Sequence, residues 1–339
     1  MASAPRLGGF KILKDVVRIS MVTPRTMENF PASFCRIVAA AEINLPYMTC
    51  IYDGEAWGLN IMVEAVHEAK ISHLIDEHFG KIFSHNSRSA ILSIFPHKKN
   101  PDITGRLFET FDQQGVEPDA LANSPSAISV ILREELLSKA SSALFEPFTF
   151  SAYRTPSDWK LAQKGKEQLY KEVVASYQEQ QPKVYGLDYH EGQDLVRVRL
   201  DREDMGHVGT SFRGFARLGL DLTFLVTSPC LEKGKEILAF CLPTSESETY
   251  TQVIGRIAPQ ISVSRISPVI IFSMNGPHFG DRYGIASELL TAFEHNKVDL
   301  LGLSCTIASI TGVVPSHQFE TTIQAIQGCF EVPSITKKD

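Results

Sequence analysis

Residues 269–290 read VIIFSMNGPHFGDRYGIASELL, and this stretch decides the fold. The apolar run 269–274 predicts a strand, and a glycine-rich loop over 275–283 follows it. Apolar residues then recur at three- and four-residue spacing, which predicts an amphipathic helix. Two more strands and a closing helix are predicted from the apolar runs that follow, at 298–304, 307–314 and 319–326.

The same order of elements occurs in three earlier segments, so the chain is predicted to contain four copies of one unit. Ile19 in the first copy and Ile91 in the second are 72 residues apart. Val196 in the third copy and Val269 in the fourth are 73 residues apart. Because the two spacings nearly agree, we expect two tandem pairs of copies.

The order strand–helix–strand–strand–helix–strand is that of the ferredoxin-like βαββαβ unit. The sequence therefore predicts an α+β fold of tandem ferredoxin-like units, each a four-stranded antiparallel sheet with its helices on one face. Packing as pairs would cover the sheet edges. The predicted units are 14–86, 87–150, 191–266 and 267–335. Residues 151–190 are predicted to connect the two halves through a helix, because Thr155 and Pro156 form a typical helix start.

Composition and charge narrow the class of protein. The chain has 339 residues, of which 43% are hydrophobic, and a formal net charge of −6. Nucleic-acid binding is not expected, because it requires clustered Lys and Arg residues. No apolar run reaches the roughly 20 residues that cross a bilayer, and the start lacks a signal-peptide pattern. We therefore expect no membrane association and a cytoplasmic location.

The sequence lacks the common motifs for metals, cofactors and catalysis. The six cysteines lack the spacing of metal sites, and the chain has no phosphate loop, dinucleotide fingerprint or nucleophile elbow. The sequence predicts no metal, no cofactor and no catalytic residues. An enzyme whose site is assembled from distant residues stays open as a rival, since such a site leaves no local motif.

The fourth copy resembles an ACT domain, and most closely the regulatory ACT units of aspartate kinases. The resemblance rests on Gly284-Ile285-Ala286 at the helix start, on Val298-Asp299 before the second strand and on Val314-Pro315 after the third. In the first copy, Ala41-Glu42-Ile43-Asn44 stands where aspartate kinase units often carry the same four residues. The second and third copies are supported by the period and the order of elements alone.

The resemblance does not extend to the catalytic domain of that family. Its amino-terminal Lys-Phe-Gly-Gly-type nucleotide motif has no good counterpart, since Leu7-Gly8-Gly9-Phe10-Lys11 matches it poorly. The resemblance therefore implies the regulatory part of an aspartate kinase without the kinase domain, and a protein that is no enzyme.

The loop that opens the fourth-copy helix is the candidate ligand site. Helix N-termini offer unpaired N–H groups and a positive dipole end that attract a carboxylate. In the resembling family this loop binds free amino acids. The expected residues are Asn275, Gly276, Asp281, Gly284, Ile285 and Ala286, with Asp281 receiving an ammonium group. If the third copy packs beside the fourth, Asp204 and Gly206 of its matching loop would add a second anchor.

These observations favour a non-catalytic regulatory protein that binds a small amino acid between ACT units. The runner-up is a regulatory or scaffold subunit of a separate amino-acid biosynthetic enzyme of the aspartate kinase type. A self-sufficient kinase is the third class, and it predicts ATP turnover with aspartate. Exposed sheet edges further predict a homodimer.

Overall fold

Strands and helices recur in the same order along the whole chain. The computed structural model describes residues 4–24, 27, 29–80, 82–163, 181–201, 204–276, 279, 282–307 and 309–338. The first half contains β1 (Arg6–Leu7), β2 (Gly9–Pro24), α1 (Phe30–Ala40), β3 (Tyr47–Tyr52), β4 (Ala56–Glu64), α2 (Glu68–Phe79), β5 (Phe83–Phe95), α3 (Pro101–Gln113), β6 (Ala120–Asn123), β7 (Ile128–Arg133), α4 (Leu137–Ala143) and β8 (Thr149–Phe150). The second half contains α5 (Pro156–Gln163), β9 (Gly186–Leu200), α6 (Met205–Arg217), β10 (Phe224–Pro229), β11 (Glu236–Pro243), α7 (Ser247–Ile257), β12 (Val263–Asn275), α8 (Ile285–Asn296), β13 (Gly302–Cys305), β14 (Ser309–Pro315), α9 (Phe319–Cys329) and β15 (Ile335–Lys337).

The protein is thus an α+β fold, as the sequence predicted. Local chemistry explains several element boundaries. The Oδ1 of Asn100 accepts a hydrogen bond from the Asp102 backbone N–H at 2.9 Å, which caps α3, and Pro101 occupies its first turn. Of the predicted connecting helix, the structure describes α5, and residues 164–180 lie outside the described part. None of the described helices is long and apolar enough to cross a membrane.

Two long strands, β2 and β5, are each shared by the first and second copies. Residues 16–22 of β2 pair with residues 83–89 of β5, and this half of the ladder belongs to the sheet of the first copy. Residues 9–13 pair with residues 91–95 and complete the sheet of the second copy. The strand that closes the second copy therefore comes from before the first copy in the sequence.

The second half repeats this exchange with β9 and β12. Residues 186–193 of β9 pair with residues 269–275 of β12 and complete the sheet of the fourth copy. Residues 195–198 pair with residues 263–266 and belong to the third copy. The sequence pattern located neither of these closing strands, because each is continuous with the opening strand of another copy.

The copies join across the two halves of the chain. The first copy meets the fourth where β3 pairs with β13, and α1 packs against α8. The second copy meets the third where Ala122 of β6 pairs with Val226 of β10, and α3 packs against α6. The sequence analysis placed the loop of the third copy beside that of the fourth. This expectation is wrong, since the third copy faces the second and the fourth copy faces the first.

In the part of the chain that the structure describes, strands of all four copies form one sheet that closes on itself, because β9 pairs with both β12 and β11. The last strand, β15, lies alongside β9. Sheet edges between copies thus pair inside the chain, which removes the physical reason for which a homodimer was predicted.

The closed sheet is buried on both faces. Its outer faces pack against the helices in two apolar clusters, one for the first and fourth copies and one for the second and third. A third cluster fills the inside of the sheet. On β2, Val17 and Ile19 face the helices, whereas Arg18 is buried on the opposite face and donates from Nε to Asn60 Oδ1 at 3.1 Å. Arg18 is buried although it alternates with apolar neighbours, because the inner cluster covers this side of β2.

Candidate functional site

A cleft lies between the end of α1 in the first copy and the start of α8 in the fourth. We call it the α1–α8 cleft. It encloses about 390 Å³, counting the space that is open to solvent. The first copy contributes Cys35, Val38, Ala39, Ile43, Asn44 and Leu45, and the fourth contributes Phe279, Arg282, Gly284, Ile285, Ala286, Ser287, Cys305, Thr306 and Ile310.

The N-terminus of α8 opens onto this cleft. Gly284 precedes the helix with φ +89°, a left-handed conformation that favours glycine. Because glycine has no side chain, it leaves the helix start without a side-chain cap. The first intrahelical bond of this turn runs from the Glu288 N–H to the Gly284 carbonyl at 2.9 Å. The N–H groups of Ile285, Ala286 and Ser287 therefore have no partner within the helix, and the positive dipole end lies beside them.

One ion pair involves Arg282 of the cleft wall. Arg282 donates from Nη2 to Glu288 Oε1 at 3.1 Å, and both side chains are partly buried. Burial raises the pKa of the Glu288 carboxyl, and the Arg282 charge partly opposes this rise. Arg282 thus lies on the cleft wall close to the N-terminus of α8, and its charge is shared with Glu288 of the first turn.

The inner walls are apolar and uncharged. Burial raises the pKa of the Cys35 thiol to about 12 and raises the pKa of the Cys305 thiol as well. Both sulfurs are therefore neutral thiols at physiological pH. Thr306 places a hydroxyl on this wall, which donates from Oγ1 to the Ser309 carbonyl at 3.3 Å and lies 3.1 Å from the Ser309 hydroxyl.

The structure brings together only some of the predicted site residues. Gly284, Ile285 and Ala286 line the cleft, whereas Asp281 lies outside the described residues. The carbonyl of Asn275 accepts a hydrogen bond from the Tyr185 N–H at 2.8 Å at the end of β12. A Cβ on Gly276 would lie 2.5 Å from Phe279 Cε1, so this glycine serves close packing.

One side of the cleft wall was missed from the sequence. It comes from the first copy, where Ile43 and Asn44 follow α1. These two residues belong to the stretch Ala41-Glu42-Ile43-Asn44, whose resemblance to aspartate kinase units was noted without a role in binding. That stretch was the available signal, but the pairing of the first copy with the fourth was needed to use it.

Asp204 and Gly206 lie elsewhere, at the junction of α3 and α6. The Asp204 carboxylate accepts hydrogen bonds from the Asp201 N–H at 3.1 Å and from Gln260 Nε2 at 3.2 Å. A Cβ on Gly206 would lie 2.5 Å from Asp112 Oδ2 of α3, so this glycine permits close helix packing. Neither residue is part of the α1–α8 cleft, because the third copy faces the second.

A second cleft lies at that junction, and we call it the α3–α6 cleft. It encloses about 490 Å³, again counting space open to solvent. Its wall carries two acidic residues, Asp201 and Glu236, beside apolar side chains such as Phe108 and Leu238. An acidic wall disfavours a carboxylate ligand, since like charges repel.

No family model and no curated protein sequence matches this chain. Among solved structures, the chain is similar to an aspartate kinase from Synechocystis, with a TM-score of 0.77 and 14% identity over 97% of this chain. The chain spans 57% of that kinase's length. The regulatory subunit of aspartate kinase from Thermus thermophilus matches 44% of this chain with a TM-score of 0.39 and 12% identity, covering 99% of that subunit. E. coli aspartokinase III in complex with aspartate and ADP matches 45% of this chain and 35% of its own, with a TM-score of 0.33 and 14% identity.

The Synechocystis match shows that this chain has a fold similar to that of aspartate kinase. It contradicts the prediction of a non-catalytic regulatory protein, together with its runner-up of a regulatory or scaffold subunit. The solved chain that matches 97% of this one is an aspartate kinase, which is an enzyme. The expected absence of a kinase domain is contradicted by the same match over nearly the whole chain.

Proposed function

We propose that this chain is an aspartate-kinase-type protein whose α1–α8 cleft binds a free amino acid. Four ACT-like, ferredoxin-like units with exchanged closing strands would form its sheet, close to the unit boundaries predicted from the sequence. The fold likeness supports the kinship with aspartate kinases. The proposal of a bound amino acid rests on the N-terminus of α8, which has no side-chain cap and opens onto the cleft.

A free amino acid has the chemistry that this cleft accommodates. Its carboxylate would accept hydrogen bonds from the N–H groups of Ile285, Ala286 and Ser287, and Arg282 would add electrostatic attraction. Its ammonium group requires oxygen acceptors, and Asn44 and Thr306 bring polar side chains to the cleft wall. The apolar walls would pack against the ligand's carbon atoms, which contributes about 0.8 kcal/mol per buried methylene.

Isothermal titration calorimetry against the twenty amino acids tests the ligand. We expect heat of binding for one or a few of them. A folded preparation that gives no heat with any of the twenty would contradict the ligand half of the proposal.

A coupled assay of ADP release tests whether the same preparation has aspartate kinase activity. ATP and aspartate are supplied as substrates. Aspartate-dependent release that changes with the bound amino acid would support an aspartate-kinase-type enzyme. A preparation that binds an amino acid but releases no ADP would contradict the proposed enzyme type and leave the proposed ligand site standing.

A homodimer stays a prediction from the sequence. Light scattering at micromolar concentration tests it, and a monodisperse monomer would contradict it.

A further inference from the structure

Lys99 and His190 join two halves of the chain through one contact. Lys99 lies in the loop between β5 and α3 in the second copy. His190 lies on β9, opposite Ile271 of β12, in the part of β9 that completes the sheet of the fourth copy. The Nζ of Lys99 is 2.8 Å from the Nε2 of His190, and His190 is only 6% exposed.

The chemistry of the two groups assigns the proton in this contact. A lysine ammonium only donates hydrogen bonds, so Nε2 of His190 must be the acceptor. The imidazole is then neutral and carries its hydrogen on Nδ1. A doubly protonated His190 has no acceptor to offer, so the contact exists only with the neutral ring.

The loop that carries Lys99 is held in a costly backbone conformation. Lys98 and Lys99 have φ values of +51° and +55°, and non-glycine residues in this left-handed region are strained. The loop is also tied to the third copy, because the carbonyl of Lys99 accepts from the Leu222 N–H at 2.8 Å. The contact with His190 is a second tie on this strained loop, beside the backbone bond to Leu222.

Several other charged groups surround the contact. Burial lowers the pKa of the Lys99 ammonium, Asp221 and Asp188 oppose this effect, and Lys338 adds to it. The pKa of the nearby buried His97 is lowered by burial and, to a lesser extent, by Lys99. On the side of β15, Lys338 lies 3.4 Å from Asp188, and Lys337 forms an ion pair with Glu191. Asp188 and Glu191 are therefore shared with the lysines at the end of β15.

We propose that Lys99 and His190 form a pH-sensitive clasp, which holds the second copy against the fourth and opens when His190 is protonated. Protonation would remove the acceptor and place two cations 2.8 Å apart. The unfolded chain, in which imidazole titrates near its ordinary pKa of about 6.5, takes up this proton more readily than the folded chain. The unfolded state then binds more protons, so stability is full above about pH 6.5 and falls as the pH is lowered.

The variant His190→Gln tests the clasp, because glutamine keeps an acceptor for Lys99 and does not titrate. Lowering the pH from 7.5 to 5.5 should raise the unfolding constant of the wild type about tenfold more than that of the variant. The matched control is His295→Gln, which replaces an exposed histidine on α8 and should keep the wild-type response. His97 is present in all three proteins, so its contribution to the change in the unfolding constant is the same in each and cancels in the comparison. An unchanged acid response in His190→Gln would overturn the proposal.

A measurement on the wild-type chain keeps the proposal testable if the variant does not fold. Long-range ¹H–¹⁵N correlation spectra of the histidine rings report tautomer and protonation. We expect His190 to show the neutral Nδ1–H form at pH 6, where an ordinary imidazole is mostly protonated. A charged His190 ring in folded protein at pH 6 would overturn the clasp.

Discussion

The two helix junctions of this molecule, α1–α8 and α3–α6, have the same place in the fold but different chemistry. In α3–α6, two glycines meet face to face. A Cβ on Gly105 would lie 2.6 Å from the Gly209 carbonyl oxygen, and a Cβ on Gly209 would lie 2.8 Å from the Gly105 carbonyl oxygen. In α1–α8, a Cβ on Gly284 would lie 3.8 Å from the Cβ of Ala39, an ordinary contact.

Charge separates the junctions as well. Asp201 and Asp204 lie immediately before α6, where their carboxylates complement the positive end of the helix dipole. At the start of α8 the acidic residue is Glu288 in the first turn, where Arg282 pairs with it, and no acidic side chain of the described residues lines the α1–α8 cleft. The repeated architecture therefore uses one junction for tight helix packing and leaves the other with a positive helix end facing a cleft.

The largest expected effect comes from breaking the tight junction with Gly209→Ala. The new methyl group would meet the Gly105 carbonyl oxygen, the Phe108 Cβ at 2.9 Å and the Glu109 backbone nitrogen at 3.0 Å. Because two of these atoms are backbone, the helices must separate. We expect the free energy of unfolding to fall by about 1–3 kcal/mol, the typical cost of overpacking. Urea denaturation measures it.

The control for this substitution is Gly255→Ala on α7. A Cβ at Gly255 meets nothing within 4 Å, and alanine favours a helix over glycine. This variant should be more stable than the wild type by about 0.5–1 kcal/mol. Equal effects of the two substitutions would show that helix propensity, and not the tight junction, governs Gly209.

Local patterns predicted the elements of this fold, and they failed where two copies meet. The apolar run 307–314 predicted a strand, and β14 spans Ser309–Pro315, since an apolar run between turns suffices to define a strand. The exchange of closing strands was not predictable in this way, because β2, β5, β9 and β12 each run through the sheets of two copies, and positive-φ residues such as Asp15 and Gly192 bend a strand there without ending it. Gly206 shows the same limit at the site. A glycine next to a helix start fits a ligand loop and a helix crossing equally well, and only the neighbouring α3 decides between them.

A substitution at the start of α8 tests whether the difference in charge between the junctions governs ligand binding. Ala286→Asp would place a carboxylate in the first turn of α8, where the ligand carboxylate is proposed to bind. Repulsion and lost access should lower the affinity for the amino acid at least about tenfold, or about 1.4 kcal/mol. The unfolding free energy without ligand should stay the same or rise by about 0.3–1 kcal/mol, because an acidic residue favours a helix N-terminus. Calorimetric titration and urea denaturation measure the two quantities.

Thr291→Asp is the matched control, since it adds the same charge to α8 beyond the first turn, where the dipole effect has faded. It should leave affinity near the wild-type value. Similar losses of affinity in both variants would point to a general charge effect and would contradict binding at the helix N-terminus.

The smallest expected effect concerns the ion pairs that cross each junction. At α3–α6, Arg213 lies 2.7 Å from Glu109 and 3.3 Å from Asp102, and its hydrogen bond to Glu109 is the largest cause that raises the pKa of the guanidinium. At α1–α8, Arg36 lies 3.1 Å from Glu294, but its side chain is 47% exposed, against 31% for Arg213. Arg213→Met should therefore lower the free energy of unfolding by about 1 kcal/mol, and Arg36→Met by less than about 0.5 kcal/mol.

Salt dependence distinguishes this electrostatic difference from lost packing of the arginine stems. At 1 M ionic strength the screening length falls to about 3 Å, so the gap between the two variants should narrow. If the difference in unfolding free energy between the two variants persists unchanged at high salt, it arises from the buried methylene groups of Arg213 instead. An Arg36→Met effect as large as that of Arg213→Met would contradict the view that α3–α6 is the more tightly held junction.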